Sequence, residues 1–160
     1  MDSLLFSSIT AASMKLLIIA ACLTVTTLAC KCRKLPSNEA FCNADWVSHV
    51  KVTASKLSAE EEDQPSRQLY TVTHVRTLKK PSGCDKLPTT VSTSTSSASC
   101  GLTLDVGKEY LLSGGYEDGA LNTGTCGQIS PDDPDSGFGV AMEWKDVSSK
   151  FLDQILAFKC

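Results

Sequence analysis

The sequence predicts a mainly β protein with helices: a small, five-stranded, OB-fold-like barrel with a C-terminal helix packed on it, stapled by disulfides. Three observations support this fold class. Several short segments alternate apolar and polar residues and are separated by turn-forming residues. Residues 145–160 carry the apolar repeat of an amphipathic helix. Eight cysteines in 160 residues favour an oxidising compartment, in which disulfides form and persist.

The N-terminal segment, residues 1–29, is typical of a secretory signal peptide. After an upstream extension of residues 1–13, a methionine and a lysine provide a positive start, and LLIIAACLTV provides an apolar core. Thr27 and Ala29 are small side chains at positions minus three and minus one of a cut before Cys30. The apolar run is shorter than the roughly 20 residues that span a bilayer. We therefore expect a secreted, extracellular protein without a membrane anchor.

Cleavage before Cys30 would leave one domain, residues 30–160, with 131 residues and seven cysteines. The full chain has 15 basic and 18 acidic residues, a net charge of -3, and no dense basic run. This balance argues against a nucleic-acid partner.

The barrel strands are predicted from period-two alternation and β-branched residues. The polar segment 89–96 is typical of an edge strand, and the last two strands resemble a hairpin around Glu117-Asp118-Gly119. The segments 58–66 and 130–139 are predicted loops because they are acidic and contain proline. The five predicted strands are 46–57, 67–78, 89–96, 108–116 and 120–129.

Two helices complete the prediction. Ser37 is expected to cap a short helix that runs through Cys42, and Asp146 is expected to cap the C-terminal helix. Apolar residues recur on one face of the second helix, at Val147, Phe151, Ile155 and Phe158.

The cysteines are better explained as disulfides than as metal ligands. The close pair is C-x-C at Cys30 and Cys32, whereas zinc frames usually contain C-x-x-C. His49 and His74 lie in predicted strands, where a lone histidine is more often hydrogen-bonded or solvated than a ligand. Spacing leaves the connectivity open. Long-range bridges would stabilise a small barrel by on the order of 4 kcal/mol each in the chain-entropy model.

The sequence contains little that points to catalysis. There is no G-x-S-x-G motif, no nucleophile beside a base and no glycine-rich phosphate loop. We expect a protein that is not an enzyme and has no cofactor of its own.

Several motifs together resemble the tissue inhibitors of metalloproteinases, a family with a netrin-like module. They are CKC at 30–32, AFCNADWV around Cys42, SASCG at Cys100, GKEYLLSG at 107–114 and TGTCG at Cys126. The resemblance covers residues 30–160 and implies three disulfides, Cys30–Cys100, Cys32–Cys126 and Cys42–Cys160. It provides no partner for Cys84, which is either a free thiol or a link between two chains; otherwise a monomer is expected.

The resemblance also implies a function, inhibition of zinc metalloproteinases of the matrix or disintegrin type. The free amine and carbonyl oxygen of Cys30 would bind the partner's catalytic zinc in trans, and Lys31 would enter the partner's main specificity pocket. Cys32, Ala98, Ser99 and Cys100 would complete the protease-binding surface. An alternative is a non-inhibitory extracellular netrin-like binding module in signalling or innate immune response, because Lys31 and the SAS segment depart from the usual pattern.

Overall fold

The computed structural model of the protein describes residues 30–59, 66–133, 136–137 and 139–160. The predicted signal peptide, residues 1–29, lies outside these ranges, as do most of the acidic loop 58–66 and part of the loop 130–139. Within the described ranges, neither helix has the length and hydrophobicity needed to cross a bilayer.

Five strands close into a barrel, which confirms the predicted fold class. β1 pairs antiparallel with both β2 and β4. β3 bridges β2 and β5, in antiparallel and parallel pairing respectively, and β5 returns to β4. A sixth, two-residue strand pairs antiparallel with β4. The strands are β1 Trp46–Leu57, β2 Arg67–Lys79, β3 Thr90–Ser94, β4 Glu109–Glu117, β5 Ala120–Asn122 and β6 Met142–Glu143.

The barrel interior is filled by side chains that alternate inward along the strands. Val50 and Val52 on β1 and Val91 on β3 are fully buried. Each such side chain contributes about 1.5–3 kcal/mol relative to an exposed one. Trp46 is also fully buried, and its indole nitrogen donates a hydrogen bond to the Gly115 carbonyl at 3.0 Å. The apolar interior therefore accounts for the alternation seen in the sequence.

The prediction that segment 89–96 forms an edge strand is wrong. β3 is hydrogen-bonded on both sides, to β2 and to β5. Its polar Thr93 is fully buried, and the Thr93 hydroxyl accepts a hydrogen bond from the Leu102 amide at 3.0 Å. A polar β-branched residue is accommodated inside because its hydroxyl has this partner.

The predicted hairpin is confirmed in its turn but not in its length. Asp118 and Gly119 both have positive φ angles, 50° and 80°, as a two-residue type I′ turn requires. β5 ends at Asn122 rather than at residue 129. A Cβ atom on Gly114 would lie 1.8 Å from the Asn122 carbonyl oxygen, so glycine is required where the two strands approach.

The early helix, α1, spans Ser37–Asn43, but the prediction that Ser37 caps it is wrong. Ser37 lies inside the first turn, and the cap residue is Pro36. Asp132 satisfies the helix start instead, because its carboxylate accepts hydrogen bonds from the Ser37 amide (2.7 Å) and hydroxyl (3.1 Å). A residue 95 positions away therefore takes the capping role.

The C-terminal helix, α2, spans Ser149–Ala157 and is shorter than predicted. Ser148 is its cap: the hydroxyl accepts a hydrogen bond from the Phe151 amide. The predicted cap, Asp146, instead lies in a 3-10 helix over Trp144–Asp146.

A second core cluster lies between the helices and the barrel. Phe151 and Ile155 of α2 are buried in this cluster against Val47, Leu111 and Ile129, among others. The Cys42–Cys160 disulfide, which joins residues 118 positions apart, ties α1 to the chain segment after α2. This staple fixes both helices to one side of the barrel.

Candidate functional site

Two disulfides lie in contact at one end of the protein. Cys30 is bonded to Cys100 and Cys32 to Cys126, with Cα–Cα distances of 5.0 and 5.2 Å. The Cys30 sulfur is 3.6 Å from the Cys32 sulfur and 3.8 Å from that of Cys126. These pairs, together with Cys42–Cys160, are the ones that the family resemblance implies. The close sulfur cluster is a pair of disulfides, so it holds no thiolate that could bind a metal.

The disulfides bring three distant chain segments together into one surface, which we call the ridge: residues 30–32, 97–101 and 124–127. Lys31, Ala98 and Ser99 are exposed on it, and Cys30 and Cys100 are partly buried. The six residues predicted to contact a protease therefore belong to two of these segments, which the Cys30–Cys100 disulfide joins. Lys31 forms no hydrogen bond or ion pair with any residue of the described ranges.

Thr125 lies at the junction of the two disulfides and was missed by the sequence analysis. Its hydroxyl oxygen is 3.4 Å from the Cys30 sulfur and 3.7 Å from the Cys32 sulfur. Its backbone amide donates to the Cys100 carbonyl oxygen at 2.9 Å. Thr125 thus contacts both of the other segments of the ridge. Its only sequence signal is its place directly before Cys126.

The segment before Cys100 is shaped by local hydrogen bonds. Residues 97–99 form a single 3-10 turn, and the Ser96 hydroxyl accepts from the Ala98 amide at 3.2 Å. Cys100 follows in the left-handed region with φ of 58°, which is uncommon for a residue other than glycine. A Cβ on Gly101 would lie 2.2 Å from the Ser94 carbonyl oxygen. This tight turn sets the direction from which the disulfide reaches Cys30.

The buried side-chain amide of Gln128 links the ridge to the barrel. The Gln128 side chain donates to the carbonyl oxygens of Ser113 (3.0 Å) and Gly124 (2.8 Å) and to the Thr123 hydroxyl (3.0 Å). Its carbonyl oxygen accepts from the Ser113 amide and hydroxyl at 3.4 Å. Gln128 thereby joins β4 to the segment that carries Cys126. Sequence analysis placed this residue in a strand and missed its role.

The N-terminal segment is also held along its length. The Lys34 ammonium donates to the Asp133 carbonyl oxygen at 2.8 Å and to the Ser136 hydroxyl at 2.9 Å. Arg33 forms an exposed ion pair with Glu39. Residues 30–37 are therefore fixed at both ends, by the disulfides and by α1.

Both histidines are hydrogen-bonded, in keeping with the expectation that a lone histidine in a strand is more often hydrogen-bonded than a metal ligand. His49 lies 2.7 Å from a Glu109 carboxylate oxygen and stacks on Trp144, with ring centroids 3.7 Å apart. His74 bonds to the Ser48 hydroxyl and to the Pro88 carbonyl oxygen, both at 2.9 Å. Burial lowers the pKa of His74 below its ordinary value, and the bond to Pro88 opposes that shift.

Cys84 is a free thiol whose sulfur lies 3.3 Å from the Lys86 carbonyl oxygen.

Fold and ridge together define a disulfide-stapled, five-stranded barrel that presents a C-x-C segment. The family model "Tissue inhibitor of metalloproteinase" matches residues 28–134. The chain therefore belongs to the tissue inhibitor of metalloproteinase family, which confirms the resemblance.

Individual relatives agree with this assignment. A Caenorhabditis elegans protein that carries the provisional name of metalloproteinase inhibitor is 42% identical over 151 residues, covering 90% of this chain and 96% of the relative. Human metalloproteinase inhibitor 2 is 36% identical over 110 residues, covering 64% and 49% respectively. Metalloproteinase inhibitor 3 of Scyliorhinus torazame is 32% identical over 131 residues, covering 80% and 59%. The chain thus spans about half the length of these vertebrate relatives.

Proposed function

We propose that this protein is a secreted inhibitor of zinc metalloendopeptidases, and that it binds the catalytic zinc of its target through the free amine and the carbonyl oxygen of Cys30. The working domain would be residues 30–160, released by cleavage of residues 1–29, acting as a monomer without enzymatic activity or a cofactor of its own. Relatives named metalloproteinase inhibitors support the general role. The observation that carries the mechanism is the position of Cys30, tied by a disulfide to Cys100 on the exposed ridge.

The chemistry follows from the nature of a catalytic zinc site. Such a zinc keeps one position open for water or substrate. An α-amine nitrogen and the carbonyl oxygen of the same residue form a five-membered chelate, which can displace that water. A free α-amine has a pKa of about 8, so zinc competes only modestly with the proton near neutral pH. With Cys30 as the first residue, no peptide bond would lie at the metal for the protease to cut.

The ridge would reduce the cost of binding because it orders the chelating residue in advance. Cys30 is held by its disulfide and contacts Thr125, and Lys31 is enclosed between two bridged cysteines. A pre-ordered group loses little conformational freedom when it binds. Ala98 and Ser99, exposed beside it, would extend the contact along the protease cleft.

Lys31 would determine which targets are inhibited well. Its ammonium is exposed and lacks a partner among the described residues. An apolar specificity pocket would have to bury this charge, at a cost of several kcal/mol unless it reaches water or a carboxylate. We therefore expect preferred targets whose pocket is deep enough for the lysine to reach solvent, or acidic at its base.

The same lysine supports the second candidate function, a non-inhibitory extracellular binding module in signalling or innate immune response. The two functions are separated by assaying the purified 30–160 chain against a panel of matrix and disintegrin-type metalloproteinases. Inhibition of at least one enzyme at micromolar concentration supports the first function. Failure against the whole panel favours the second.

The chelation mechanism is tested by adding one alanine before Cys30, which converts the amine into a peptide nitrogen. We expect inhibition to be lost while the thermal midpoint stays the same, because the disulfides and the barrel are unchanged. A matched control adds one alanine after Cys160, at the other end of the chain. Equal inhibition by the N-terminally extended chain would overturn the mechanism.

A further inference from the structure

A cavity lies on the barrel between β2 and the loop that precedes β3. The β2–β3 ladder ends with the Val72 amide, which donates to the Thr89 carbonyl oxygen at 2.7 Å. Beyond this bond, Thr73–Lys79 of β2 face residues 85–89 of the loop across a cavity of about 670 Å³. His74 also lines the cavity, and its ring bonds to the Pro88 carbonyl oxygen at 2.9 Å. This volume falls in the range of about 300–1,000 Å³ that small-molecule sites occupy.

The cavity is lined by two leucines and three threonines, beside charged residues. Leu87 is buried and Leu78 is half-buried, and both line it. Thr73, Thr77 and Thr89 add hydroxyls that can donate to an anionic head group. The two leucines and the aliphatic stems of the lysines provide the apolar surface of the cavity, and its other lining residues are polar or charged.

The residues that line the cavity carry a net positive charge. Three lysines and one aspartate line it, and none of the four forms an ion pair with another residue in the described ranges. The Lys79 ammonium is fixed by the carbonyl oxygens of Phe41 (2.9 Å) and Cys42 (2.8 Å). The Lys80 ammonium donates to the Asp85 carbonyl oxygen at 3.2 Å. The four charged residues are Lys79, Lys80, Lys86 and Asp85.

We propose that this cavity binds a small amphiphilic anion, a carboxylate head group on an aliphatic body, of the kind found in medium-chain fatty acids. Lys80 and Lys86 would meet the carboxylate, and Leu78, Leu87 and the aliphatic stems of the lysines would contact the aliphatic body. The cavity has no lining residue in common with the ridge, so this site is independent of the proposed protease inhibition.

The test is binding of decanoate to the 30–160 chain, followed by amide chemical shifts. We expect saturable shifts clustered at residues 73–80 and 85–89. Decanol, the uncharged match, should bind at least about tenfold more weakly, a difference of roughly 1.4 kcal/mol. Inorganic phosphate should not compete. Equal binding of decanol, competition by phosphate or shifts centred elsewhere would each overturn the proposal.

Two charge-reversed variants sharpen the test. Lys80→Glu with Lys86→Glu should weaken decanoate binding at least about tenfold. The control, Lys51→Glu with Lys56→Glu, makes the same change in net charge on exposed positions of β1 that do not line the cavity, and should bind as the parent does. An equal loss of decanoate binding in both variants would show that only the net charge of the protein matters, and it would refute a specific site. Comparison of their thermal midpoints checks that both are folded.

Discussion

The hydroxyl oxygen of Thr125 lies 3.4 Å from the sulfur of Cys30, although the two residues are 95 positions apart in the sequence. The same threonine donates its backbone amide to the carbonyl oxygen of Cys100, the disulfide partner of Cys30. The segment proposed to meet zinc is therefore held by a covalent bond and by a neighbouring loop at once. Its orientation depends on residues outside the C-x-C motif.

Thr125→Val should weaken inhibition by about tenfold with little change in stability. Valine keeps the shape of threonine but removes the hydroxyl that contacts the Cys30 and Cys32 sulfurs, while the backbone bond to Cys100 remains. Inhibition constants and thermal midpoints measure the two effects. Thr103→Val, at an exposed position, is the control and should change neither. Unaltered inhibition by Thr125→Val would show that the hydroxyl does not orient Cys30.

Gln128→Leu should lower the free energy of unfolding by about 2–4 kcal/mol. The change leaves the Gly124 carbonyl oxygen without the donor that Gln128 provides, and it removes one of the two side-chain donors to the Ser113 carbonyl oxygen, which keeps the Thr123 hydroxyl at 2.7 Å. Urea denaturation measures the loss. Gln154→Leu makes the same chemical change on the exposed side of α2 and should stay within about 0.5 kcal/mol of the parent. Similar values for the two variants would mean that the buried network contributes little.

Lys31→Thr should strengthen inhibition of proteases with apolar specificity pockets, by at least about tenfold. The reason is that no ammonium then has to be buried in the pocket. Lys56→Thr, an exposed lysine on β1, controls for the loss of one charge. Unchanged inhibition constants for Lys31→Thr would show that Lys31 does not weaken binding to proteases with apolar pockets.

Gly114→Ala should lower the free energy of unfolding by about 2 kcal/mol or more. The added Cβ would lie 1.8 Å from the Asn122 carbonyl oxygen, so β4 and β5 would have to separate. Gly137→Ala is the control, since its nearest neighbour would be a flexible Val140 methyl at 3.4 Å. A small effect at Gly114 would indicate that β5 can shift without cost.

Stability should decrease below about pH 6.5 because of His74. Burial lowers its folded-state pKa below the ordinary value of 6.5. The unfolded chain therefore binds the proton first, and stability falls as the pH drops from 6.5 towards the folded pKa. His74→Gln removes this term. The difference in unfolding free energy between parent and His74→Gln should shift in favour of the parent from pH 5 to pH 7.5, measured by urea denaturation. A pH-independent difference would contradict the linkage.

Helix starts were the least predictable part of the fold. Ser148 rather than Asp146 caps α2, because Trp144 stacks on the buried His49 ring and holds Trp144–Asp146 in a separate 3-10 turn. The first turn of α1 is capped by Asp132, from a distant loop, which accepts a hydrogen bond from the Ser37 amide. Local propensity identifies several acceptable cap residues. The choice among them depends on contacts made across the fold.

Composition and periodicity were sufficient for the fold class and for the two long strands β1 and β2, because alternation records which side chains face an apolar interior. Motif spacing was sufficient to identify the family. Neither pattern contains the position of Thr125 against Cys30, the amide network of Gln128 or the cavity beside β2. These features arise from hydrogen bonds and packing between residues that are far apart in the chain, and closure of the barrel brings those residues together.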